Sequence, residues 1–83
     1  MNNETSYTVD CEYTDLFCGQ ANYSWVLRES IQIPHGTSSH KESRLIKAAL
    51  GLTGVKCKAT HNGDSWEFRP IGLLTVAFGN VRY

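Results

Sequence analysis

The residues with the widest chemical reach are Cys11, Cys18 and Cys57, together with His35, His40 and His61. A thiolate beside an imidazole is the arrangement of a nucleophilic enzyme, and the same two groups are the commonest ligands of zinc. Neither chemistry shows its spacing here. Zinc ligands come in close sequence pairs, whereas six residues separate Cys11 from Cys18. Cys18 with His35 or His61 carries no local signature of a catalytic pair. Gly51-Leu52-Thr53-Gly54 lacks the spacing and the lysine of a phosphate-binding loop, and no acidic calcium loop occurs. The sequence therefore predicts no catalytic residue, no metal and no cofactor. An odd cysteine count behind a polar start, MNNETSYTVD, fits a reducing cytoplasm better than a disulfide scaffold.

Charge is the next source of chemistry. Eight basic and eight acidic side chains cancel, which argues against binding nucleic acid by bulk charge. The two signs are nevertheless separated along the chain. Residues 1–29 hold five acids against Arg28 alone, while residues 30–83 hold seven bases against three acids. Asp10 and Glu12 alternate outward on one expected strand, and Lys56 and Lys58 on another, so cross-strand pairing between them is one expectation. The other is that Lys56 and Lys58 form part of a recognition surface.

These side chains must be positioned by elements that the hydrophobic pattern predicts. Tyr7, Val9, Cys11 and Tyr13 alternate with polar residues, as on a half-buried strand. Asp15 to Asn22 breaks the alternation and reads as a loop. Tyr23 to Ile33 is a second strand, in which Glu29 marks a bulge or an edge position, and Pro34 ends it. Ser39-His40-Lys41-Glu42 has the form of a capping box. The helix then runs from about His40 to Leu50, with Leu45, Ala48, Ala49 and Leu52 inward, Ile46 and Leu50 widening that stripe, and a basic stripe of His40, Arg44 and Lys47 outward. Gly51 suits the left-handed residue that ends it. Val55 to Thr60 and Trp66 to Arg69 flank the hairpin signal Asn62-Gly63, and Leu73 to Val81 is the last strand.

The predicted order is β-β-α-β-β-β: an α+β fold, a single antiparallel sheet of about five strands with one helix packed on one face. Residues 1–6 are expected to be disordered and 7–83 to form the domain. The expected core is Val9, Cys11, Trp25, Leu27, Ile31, Leu45, Ala49, Leu52, Val55, Cys57, Phe68, Val76 and Phe78. A free edge on the second or fifth strand would invite a homodimer. No apolar run is long enough to span a membrane.

The candidate contact residues follow from this layout. Asp15, Leu16 and Phe17 occupy the expected loop, where an aromatic either covers the core edge or anchors a partner. Tyr23 lies beside them, and with Tyr13 and the C-terminal Tyr83 it enlarges the aromatic set. Lys56 and Lys58 complete the expected partner-binding surface.

The stretches AALGLTGVKCK (48–58), NGDSWEFRP (62–70) and TVAF (75–78) resemble small accessory proteins of phages and prophages, among them anti-CRISPR and other anti-defence inhibitors. The resemblance implies a non-enzymatic protein that inhibits or modulates a host protein by direct contact, in the host cytoplasm, the target being a defence complex that handles nucleic acid. It transfers no functional residue. Two rivals stand beside it. One is a small nucleic-acid-binding module using Lys56, Lys58 and Arg69, helped by Arg44 and Lys47, with Trp66 or Tyr23 stacking on bases; nucleic acid ranks below protein as a partner. The other is a small-ligand-sequestering protein or an enzyme whose pocket forms at an oligomer interface.

Overall fold

The computed structural model describes residues 5–82. The chain runs β1 (Ser6–Phe17), β2 (Gln20–Pro34), α1 (Ser39–Ala49), β3 (Cys57–Asn62), β4 (Ser65–Pro70) and β5 (Thr75–Val81). This is the predicted order and the predicted α+β class. The expected disorder of residues 1–4, and the place of Tyr83, lie outside the described residues; Ser6 already pairs with Pro34. The five strands form one antiparallel sheet in the order β2-β1-β5-β4-β3. β2 is thus an edge, as expected, but β5 lies at the centre and β3 is the second edge. No described helix is long and apolar enough to cross a membrane.

The expected loop at Asp15–Asn22 is mostly strand. β1 and β2 close through a two-residue turn, Cys18-Gly19, in which both residues have positive φ (55° and 80°). Such turns match the twist of the strands they join, so the hairpin runs to its tip. The broken alternation has a different cause. Thr14 pairs with Val26 and Leu16 with Ala21, so Asn22–Trp25 bulge out opposite Asp15. The irregularity sits here, and none is recorded at Glu29. At the other hairpin the turn residues are Gly63-Asp64, one position later than expected, with φ 62° at Gly63.

Residues paired across strands share a face. Tyr7, Val9, Cys11 and Tyr13 therefore lie with Ile33, Ile31, Glu29 and Leu27 of β2, and with Val81, Gly79 and Ala77 of β5. α1 packs on this face. Its cap is Ser38, whose Oγ accepts from Lys41 N–H (3.2 Å). It ends in a Schellman arrangement: Gly51 (φ 75°) donates to Ala48 O and Leu52 N–H reaches Lys47 O at 2.8 Å. A Cβ at Gly79 would stand 2.8 Å from Ile46 Cδ1, so glycine there lets the helix approach the sheet closely.

The buried ridge of α1 is Glu42, Ile46 and Leu50, spaced i, i+4, i+8. Leu45, expected inward, is 43% exposed, and Ala48 is exposed with it. The wheel is rotated because a carboxylate occupies the buried line, which an apolar pattern cannot show. The core holds Val9, Cys11, Ile33, Ile46, Leu50, Leu52, Phe68 and Ala77, with Ile31, Val55 and Cys57 partly buried against it. Val76 is buried but lies by register on the opposite face with Thr14, and Phe78 is half-buried. Trp25 (44% exposed) and Leu27 (39%) leave the expected core, because they lie on the edge strand beyond the helix. The twelve residues of β1 at roughly 3.3 Å each reach about 40 Å, whereas the eleven of α1 at 1.5 Å each reach about 16 Å. The helix is thus long enough to cover less than half of the hairpin, which sets the 44 Å long axis.

Ile46→Ala should cost about 2–5 kcal/mol by lost burial and cavity formation, and Leu45→Ala no more than about 0.5 kcal/mol. Urea denaturation of both variants measures the difference, and equal costs would contradict the helix orientation.

Candidate functional site

Two groups of residues stand out. The first is the end of the sheet that α1 leaves open. Asp15 is built into it rather than offered to a partner. Its carboxylate accepts from Ser24 Oγ (2.5 Å), Ser24 N–H (3.0 Å), Asn22 Nδ2 (3.0 Å) and Thr14 Oγ1 (3.2 Å). The Ser24 and Asn22 side chains hold its pKa well below the usual carboxylate range. Thr14 Oγ1 also lies 2.6 Å from Trp25 O, so the bulge is pinned from both sides. Tyr23, with φ 57°, projects from the bulge half-exposed and donates to Glu12 Oε1 (3.1 Å).

Leu16 is half-buried and its N–H donates to Leu74 O (2.9 Å), which brings the β4–β5 connection against the hairpin tip. Phe17 is 68% exposed there, and Leu73 and Leu74 are exposed beside it in the connection. The two lysines join the same end. Lys56 O accepts from Ile71 N–H (2.9 Å), and Lys58 pairs with Arg69, whose Nη1 donates to Gly19 O in the tip (3.2 Å). All six residues expected at a contact surface are therefore brought to one end of the molecule. Ile71, Leu73 and Leu74 were not foreseen as part of it. Leu73 and Leu74 were read as the start of the last strand, which begins only at Thr75.

Cross-strand pairing of Asp10 and Glu12 with Lys56 and Lys58 does not occur, because β5 and β4 lie between β1 and β3. Asp10 pairs with Arg82 (2.6 Å) and Glu12 with Arg28 (2.9 Å). The residues proposed to stack on bases are also engaged. The Trp66 ring lies parallel to His61 (centroids 3.9 Å apart) and to Phe68 (5.4 Å). Arg69 is bound to Glu67 (2.7 Å) as well as to Gly19.

The second group surrounds Glu42, which is 8% exposed. Read from the sequence as a capping residue, it instead faces the sheet. Trp66 Nε1–H donates to Oε1 (2.7 Å) and the Tyr7 hydroxyl donates to Oε2. Burial, and then the Glu42 carboxylate, push the Tyr7 pKa up to about 12. His35 packs against Tyr7 (centroids 5.3 Å apart) and His61 against Trp66. A cleft of about 470 Å³ opens above, bounded also by Asp64 and Arg82. Both donors of this cluster end on the one carboxylate, so its chemistry is that of a structural clamp. Among the described residues no group of three or more His, Cys, Asp and Glu is placed to hold a metal ion.

The three thiols are free and differ in setting. Cys11 is buried and burial pushes its pKa up to about 11. Cys18 is exposed at the hairpin tip. Cys57, expected in the core, is only half-buried, because β3 is an edge strand. Comparison of the chain with protein-family models, curated proteins and solved structures gives no match.

Three measurements check this geometry. A tyrosine whose folded pKa is raised stabilises the fold fully below its unfolded value, 10, and that stability is lost as pH rises towards 12. A spectrophotometric titration should therefore show Tyr7 ionising late together with alkaline unfolding, and Tyr7→Phe should remove that phase while leaving the delayed ionisation of exposed Tyr23, which its hydrogen bond to Glu12 raises. Glu42→Ala should cost about 3 kcal/mol, since two part-buried donors lose a charged acceptor, with Glu42→Gln intermediate. Maleimide should label native Cys18 first, Cys57 next and Cys11 last. Equal rates would contradict the strand phases.

Proposed function

We propose that this chain is a non-enzymatic binding protein that inhibits or modulates another protein by direct contact, using the open end of its sheet. The observation that supports the reading is the cluster of exposed apolar side chains there, Phe17, Leu73 and Leu74 with Ile71 and Tyr23. Single exposed apolar residues are ordinary on soluble domains, whereas contiguous ones mark contact sites. The rim supplies Lys56 and Lys58. The cluster is also held in shape: the Asp15 hydrogen bonds fix the bulge, and Leu16 and Arg69 tie the tip to neighbouring elements. A surface ordered before binding loses less entropy when a partner arrives. In the setting suggested by the resemblance to phage accessory proteins, the partner is a host defence protein.

The test is affinity capture from a host lysate with wild-type chain and with Phe17→Ala and Leu74→Ala. Loss of an aromatic anchor at a desolvated interface costs about 2 kcal/mol or more, roughly a thirtyfold loss of affinity. The captured protein should be lost with each variant while the melting temperature stays unchanged. A Phe17→Ala chain that melts many degrees lower, or that captures the same protein equally well, would overturn the proposal.

A further inference from the structure

The outward face of α1 carries a second surface that does not belong to the hairpin end. Leu45 and Ala48, turned away from the sheet, line a groove of about 680 Å³ together with Pro34 at the end of β2 and Thr53-Gly54 after the helix. Lys41, Arg44 and Lys47 stand along its length. Positions 41, 44, 45 and 48 follow helical spacing, so the basic and apolar side chains share one face.

Among the described residues no acid forms an ion pair with this face. Among the described residues the ion pairs use Arg28, Arg69 and Arg82. Asp15 is held by Ser24 and Asn22, and Glu42 by Tyr7 and Trp66. Lys47 Nζ donates to Val55 O (2.7 Å), a carbonyl that leaves its charge uncancelled. Lys41 adds a cation in the first turn of the helix, where the helix dipole disfavours one. A chain of zero net charge thus presents an unneutralised positive stripe beside exposed apolar carbon.

We infer that this groove binds an acidic peptide segment that carries an apolar side chain. The carboxylates would meet Lys41, Arg44 and Lys47, and the apolar side chain would lie on Leu45 and Ala48. Nucleic acid fits less well, because no aromatic lines the groove to stack on a base and a phosphate backbone has no use for its apolar floor.

Fluorescence anisotropy with labelled probes tests the assignment on the intact chain. The probes are a glutamate-rich peptide containing leucines, the same peptide with serine in place of leucine, a lysine–leucine peptide, an oligo-dT strand and phosphatidylserine vesicles. The glutamate–leucine peptide should bind best, and Lys41→Ala with Arg44→Ala should weaken it by about tenfold or more. Leu45→Ser should weaken it even at high salt, where the charge contribution is screened. Phe17→Ala should leave it unchanged, which separates this site from the hairpin end whether or not that end binds a protein. Lys41→Glu with Arg44→Glu should transfer preference to the lysine–leucine peptide. Absence of binding, equal binding of the serine peptide, tighter binding of oligo-dT or vesicles, or indifference to the Lys41 and Arg44 changes would each overturn the inference.

Discussion

The Glu42 carboxylate, closed between α1 and the sheet, sets where the helix can lie. One oxygen takes the indole N–H of β4 and the other the phenol of β1, so a single side chain fixes the helix against two strands separated by β5. A buried carboxylate is costly unless its oxygens are satisfied. That condition couples three elements that meet only after the whole chain has folded. Once Glu42 faces inward, Ile46 and Leu50 follow at i+4 and i+8, Ile46 comes to rest over Gly79, and Leu45 and Ala48 must turn outward. The groove on the outer face of the helix is a geometric consequence of the clamp on the inner face.

The second constraint is the mismatch between hairpin and helix. Interior packing favours a sheet covered along its full length, yet α1 ends well short of the hairpin. The uncovered part is neither cut away nor made polar. It is stiffened by Asp15, by the Cys18-Gly19 turn and by the Arg69 contact to the tip. The bulge has a further effect, since it interrupts the regular outer edge of β2. Bulges on edge strands discourage indiscriminate strand pairing. A partner at this end would then meet side chains such as Phe17 and Leu74 more readily than a bare run of peptide groups.

What was legible in the sequence was whatever depends on local periodicity. The alternation of Tyr7 to Tyr13, the amphipathic helix, Gly51 as its left-handed stop and the turn near Asn62-Gly63 predict the element order and the α+β class. Information that depends on distant partners was not legible. Glu42 looks polar and therefore outward unless Tyr7 and Trp66 are known to be waiting for it, and that one side chain rotates the whole helical wheel. Asp15–Asn22 looks like a loop because a bulge destroys alternation as thoroughly as a loop does. The strand order is equally hidden: nothing local tells that β5 inserts between β1 and β4, and this alone sends Asp10 to Arg82 instead of to a lysine. Asp15, Leu16, Phe17 and Tyr23 come to one end because loop and bulge occupy the same end of a hairpin, whichever of the two the chain forms; Lys56 and Lys58 reach it only through the pairing of β3 with β4.

Zero net charge proves to be a poor guide to surface character, for a physical reason. An acid paired with arginine projects little field, while an acid on neutral donors, such as Asp15 or Glu42, and a lysine without a carboxylate partner each keep their own charge in place. The three arginine pairs are exposed or half-exposed and contribute modestly to stability. Their larger effect is on where charge is left over, because each pair cancels one negative and one positive charge and occupies Asp10, Glu12 and Glu67. Those three acids are thereby not partners of Lys41 and Arg44 on the helix face or of Lys56 and Lys58 at the sheet end. Both positive regions border apolar side chains exposed by the geometry of α1, Leu45 in one case and the Leu73-Leu74 connection in the other. The combination of apolar floor and basic rim at each place follows from one fact of the fold: a short helix clamped by its own carboxylate onto a sheet too long for it.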